Sequence, residues 1–165
     1  MQSGQKRSIG FIISLFVGFL LQGAVLATEV YLQNGKGKPG QIVVCPVVID
    51  DVKNLAGIKL VLKYDPELLT FKEGANTKHS RSLMHVINDK TPGKLILVMA
   101  GAKGIGGKDL NIMVLKFMIK KNKTDNPSND GKQNARLDIT EIQLMDDQLK
   151  EVKAKTKSGV ISILP

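Results

Sequence analysis

Both histidines of this 165-residue chain fall in "KHSRSLMH", with Ser80 between His79 and His85. A hydroxyl beside imidazoles is the raw material of acyl transfer, but a nucleophilic serine also needs its base oriented by a third, acidic group. Closeness along an extended segment is not that arrangement, and no acidic orienter is evident. The three residues are expected on the surface, with no catalytic role. A zinc site recruits three or four ligands, and with a single cysteine in the chain no cysteine pair exists to complete His79 and His85. No metal site and no cofactor are expected.

"NPSNDGKQN" spaces Asn126, Ser128, Asp130 and Asn134 near the ligand positions of a calcium loop, with Gly131 at the turn. Leu137 occupies the place of the closing bidentate acid, few of the ligands are charged, and the flanks read as strand. A polar loop is expected instead. "GAKGIGGKD", Gly101 to Asp109, is glycine-rich, yet a phosphate-binding loop follows a strand and opens a helix. This one lies between two predicted strands and reads as a connecting loop. Asn122 in "NKT" matches a glycosylation sequon. Cys45 is the only cysteine, so it forms no intrachain disulfide, and its place inside the apolar run "IVVCPVVI" reads as that of a small buried hydrophobe.

The elements that carry these residues are strands. In "GIKLVLKYDPELLTFKEG", Ile58, Leu60, Leu62 and Tyr64 share one side of an extended chain and Lys59, Val61 and Lys63 the other. Asp65 and Pro66 end that strand in a tight turn, because Asp65 can cap the amides that follow and proline suits the first position of a helical turn. Leu68 and Phe71 then return to the core, and Gly74 is expected to allow the next reversal. Further strands are predicted in "EVYLQN", in "QIVVCPVVID" up to an acidic turn at Asp50 and Asp51, and in "RSLMHVIND", "KLILVMA", "LNIMVLKFMIK", "RLDITEIQLMD", "EVKAKT" and "GVISIL". Val43, Cys45, Val47 and Ile49 share one core-facing side, as do Met113, Leu115, Phe117 and Ile119. About nine short, turn-punctuated strands predict an all-β, antiparallel two-sheet sandwich.

Ahead of them, Lys6 and Arg7 precede the apolar run from Ile9 to Leu21, and Val25 and Ala27 precede Thr28. This reads as a secretory signal peptide over residues 1–27, cut after Ala27. The run is shorter than the roughly 20 apolar residues needed to span a bilayer. One domain, residues 28–165, is then left as a secreted, extracellular protein with no membrane attachment of its own. Lys6 and Arg7 are the only charges removed, so of 24 basic and 15 acidic residues the mature chain keeps 22 and 15, a net charge of +7. Its lysines are scattered and no aromatic side chains interleave with them, which disfavours nucleic acid as a partner.

"GKPGQIVVCPVVI", "LAGIKLVLKYDPELL", "GKLILVMA", "LKFMI" and "SGVISI", in that order, resemble a cohesin domain over nearly the whole mature chain. The resemblance implies a nine-stranded jelly-roll β-sandwich without enzymatic activity. It also implies that the partner is a dockerin module, which carries the calcium itself, in an extracellular assembly linked to polysaccharide catabolism such as the cellulosome. Gly57 and Lys59 stand where cohesins present polar or acidic side chains to the dockerin helix, so that contact does not carry over directly. The outward positions Lys59, Val61, Lys63, Ile112, Val114 and Lys116 would form an apolar strip edged with lysine. A run apolar on both sides does not reveal its own facing, but with "KLILVMA" beside them as the resemblance implies, Ile96 and Val98 extend the strip, and these are the expected partner-binding residues. A carbohydrate-binding module of the same superfamily is the alternative. It is disfavoured because a sugar platform uses aromatic faces and the chain has no Trp and only Tyr31 and Tyr64. A structural or adhesion module of the cell envelope is a third reading.

Overall fold

Two long strands organise the molecule. In the computed structural model, which describes residues 27–121 and 133–165, β3 (Ile42–Tyr64) and β6 (Lys94–Ile119) run antiparallel from Ile42 opposite Met118 to Lys63 opposite Lys94. Each changes register midway, between Val52 and Gly57 on β3, and so serves two layers. In one layer, β1 (Thr28–Leu32) pairs with Val47–Ile49 of β3, and the second half of β6 pairs with β4 (Leu69–Asn76). In the other, the order is β7 (Gln133–Asp146), the second half of β3, the first half of β6, and β5 (Met84–Asn88). Short strands close the margins. β2 (Gly35–Gly37) runs parallel to β10 (Gly159–Ile163), which is antiparallel to β7; β9 (Ala154–Lys157) runs parallel to β1; β8 (Glu151–Val152) pairs with β7.

The fold is the expected all-β sandwich. Val43, Cys45, Val47 and Ile49 from one layer meet Ile58, Leu60 and Leu62 from the other in one core, joined by Met113, Leu115, Phe117 and Ile119. Phe117 is the centre, with Tyr64 and Phe71 packed edge-on at ring-centroid distances of 5.3 and 5.6 Å. The whole described core lies between Val30 and Ile163. The Asp-Pro turn forms as its residues require: the Asp65 carboxylate accepts the Glu67 amide at 2.8 Å, and the Asp65 carbonyl accepts the Leu69 amide at 3.0 Å. Leu68 and Leu69 are thereby buried.

Several local expectations fail. "GAKGIGGKD" is not a loop but an arm of β6, and the acidic pair is not a turn: Asp51 lies opposite Lys108, Val52 opposite Gly107, and Leu55 opposite Ile105. Most of this arm is open to solvent, so no burial alternation marks it in the sequence. Its glycines admit a close crossing, since a Cβ on Gly104 would stand 2.3 Å from the Asn54 carbonyl carbon. Gly74 lies inside β4 and reverses nothing; its bare Cα leaves room for Ile87 of β5, whose Cδ1 would be 2.3 Å from an added Cβ. Asn122, Asn126, Ser128 and Asp130 fall outside the described residues.

Candidate functional site

On the outer side of the β7–β3–β6–β5 layer, cross-strand register sets out rows of side chains. One row reads Gln143, Lys59, Val98, Val86; the next reads Glu141, Val61, Ile96, Asn88; Ala100 and Met84 continue the first side of the face. Lys59, Val61 and Lys63 share this side through their alternation, and the pairing of β3 with β6 brings Ile96 and Val98 beside them. Met84 at 80% exposed, Val86 at 69% and Val98 at 42% form an apolar strip along β5 and its neighbour. Lys59 borders it, its Nζ 2.5 Å from the Glu141 carboxylate.

Four of the predicted residues do not join that exposed strip. Val61 points outward but is only 5% exposed, because Ile96 on one side and Glu141 on the other enclose it; it is not a contact surface. Ile112 is fully buried. The register passes from Val47–Met113 to Val48–Asn111, so a bulge leaves Ile112 unpaired and sends it into the core with Met113. Val114 and Lys116 do point outward, but on the opposite layer, where they lie across from Pro46 and Val44, and Lys116 bonds Glu73. The strip expected to be continuous is divided because β3 and β6 each cross from one layer to the other. Exposed Ile42 and Val44 belong to that second outer face.

Met84 and Val86 were not among the expected contacts. Their alternation in "MHVIN" was visible, but the strand's facing and its neighbour were not. The segment before it also differs from expectation, for Ser80 is fully buried, not at the surface. Its hydroxyl donates to the Ile112 carbonyl at the bulge and accepts the Thr77 amide at 3.0 Å. Both of its roles are structural, and the exposed His79 and His85 make no bond to it. Burial pushes the Cys45 thiol up to about 12, which holds it in its inert, protonated form. Among the described residues no group of three or more His, Cys, Asp or Glu side chains is placed to hold a metal ion.

Residues 28–163 match the family model described as the cohesin domain. No curated protein matches the chain. Among solved structures, a non-cellulosomal cohesin from the archaeon Archaeoglobus fulgidus superposes with a TM-score of 0.72 at 17% identity, over 85% of this chain and 93% of its own. The sixth cohesin of Acetivibrio cellulolyticus scaffoldin B, solved with a mutant Cel5 dockerin, gives 0.70 at 22% identity over 82% and 98%. A cohesin of Clostridium thermocellum, solved in a type I cohesin–dockerin complex, gives 0.72 at 20% identity over 84% and 94%.

Proposed function

The chain belongs to the cohesin domain family, and from that premise we propose that it is a secreted, non-catalytic module that captures a dockerin on the outer face of the β7–β3–β6–β5 layer. The observation that carries the choice of face is the strip Met84, Val86 and Val98, exposed on adjacent strands beside the Lys59–Glu141 pair. Contiguous exposed apolar side chains rimmed by charge mark protein-binding surfaces more than sugar platforms. The relatives from Acetivibrio cellulolyticus and Clostridium thermocellum were solved with dockerins, which supports the partner class. In this reading the dockerin brings its own calcium and belongs to an extracellular enzyme or scaffold of polysaccharide breakdown. Residues 1–27 direct secretion and are removed.

Calorimetric titration of the chain from Thr28 onward with a panel of calcium-loaded dockerins tests the reading. Val86→Asp and Val98→Asp should each weaken the best binder at least about tenfold, since a carboxylate would be desolvated against an apolar surface. Val44→Asp, on the opposite layer, should not. Binding that survives both face substitutions and is lost with Val44→Asp would move the site to the other sheet. Retention on cellulose with no dockerin bound would favour the carbohydrate reading.

A further inference from the structure

The strand β5 ends its sheet, pairing with β6 alone among the described residues. Sheet edges present unpaired amides and carbonyls that template another strand, and proteins guard them with charges and bulges. The other margin strands here are guarded. β4 carries Lys72 and Glu73 at a register irregularity, β2 carries Lys36, β8 Glu151, and β9 Lys155 and Lys157. β5 reads Met-His-Val-Ile-Asn, with no lysine, arginine, aspartate or glutamate and with Met84 and Val86 largely exposed.

We propose that two copies of this chain associate edge to edge, β5 against β5, antiparallel about Val86. The edge chemistry calls for a strand, and this strand is complementary to itself. Val86 would face Val86, Met84 would face Asn88, and His85 would face Ile87, so no like-charged carboxylate or lysine is opposed within the paired segment. Nothing in the surrounding lysine-rich chain offers another uncharged edge among the described residues. An antiparallel strand pair has its twofold axis perpendicular to the sheet. The β7–β3–β6–β5 layers of the two copies would join into one continuous sheet, with both outer faces on the same side. The inference uses the strand edge and holds whether or not a dockerin occupies the face.

Sedimentation of the chain from Thr28 onward, which holds the whole described core, should show a concentration-dependent dimer. Val86→Lys should raise the dimer dissociation constant at least about tenfold by opposing two ammonium groups, while Val98→Lys, one strand in from the edge, should change it far less. Val86→Cys should cross-link to a dimer under mild oxidation much faster than Val44→Cys, because only the first is placed opposite its own copy; the buried native Cys45 should not contribute. A monomer at every concentration overturns the proposal. So does a dimer equally weakened by Val98→Lys, which would be face-to-face packing, or a dimer indifferent to Val86→Lys.

Discussion

Two valines on the same face meet different surroundings: Val61 is 5% exposed and Val98 is 42%. The difference separates stability from recognition. Val61→Asp should cost several kcal/mol, roughly 2–5, because its carboxylate would be desolvated between Ile96 and Glu141, and its Tm should fall well below that of Val98→Asp. Leu62, fully buried in the core, should cost about 2–5 kcal/mol on truncation to alanine through lost burial and the cavity left behind, as urea unfolding would register. Loss of the Lys59–Glu141 pair, with side chains 41% and 43% exposed, removes at most about 1 kcal/mol. Cys45 adds a pH dependence. Its thiol is raised from 9.0 to about 12 by burial, so above the lower value the unfolded chain loses a proton that the folded chain keeps. Stability from this group is whole below about pH 9 and falls as pH rises toward about 12. Comparing wild type with Cys45→Ala by urea unfolding should show a steeper alkaline decline in the wild type.

At the scale of elements, the decisive feature is that β3 and β6 each serve both layers. Their crossing is tight at Gly104, where any side chain would meet the Asn54 backbone, with the carbonyl oxygen at 2.4 Å from an added Cβ. Backbone cannot rotate away as a side-chain tip can. Gly104→Ala should therefore destabilise by on the order of 1–3 kcal/mol, with the loss read as a lower Tm. A second fixed point is the clasp formed when Ser80 and Thr77 donate hydroxyl bonds to the Ile112 and Asn111 carbonyls. It anchors the turn before β5 to the bulge in β6, and so helps set where the edge strand begins.

For the whole molecule, one apolar core spans both layers and no described group of side chains is placed to hold a metal. The circular dichroism spectrum of the chain from Thr28 onward should be that of a β protein, and its melting curve should be unchanged by chelator. Dockerin capture should nevertheless be abolished by chelator if the calcium belongs to the partner. That contrast places the metal on one side of the complex. A fall in the module's own Tm on chelation would put a metal in the fold instead.

Alternation alone determined the inward sides of β3 and of the second half of β6, because period two is local and every inward residue from Val43 to Ile49 and from Met113 to Ile119 repeats it. The first half of β6, apolar on both sides in "KLILVMA", did not reveal its own facing. The Asp65 cap was likewise legible, since its donor lies two residues away. Which outward residues share a surface was not legible. Lys59 and Val98 are neighbours and Lys59 and Val114 are not, although all three alternate correctly. Alternation names a side of a strand, whereas a surface depends on which layer that stretch of strand occupies. The crossing at Asn54 and Gly104, the bulge at Ile112, and the burial of Val61 between two neighbouring strands are relations between segments distant in sequence. Only their pairing in the folded sheet decides them.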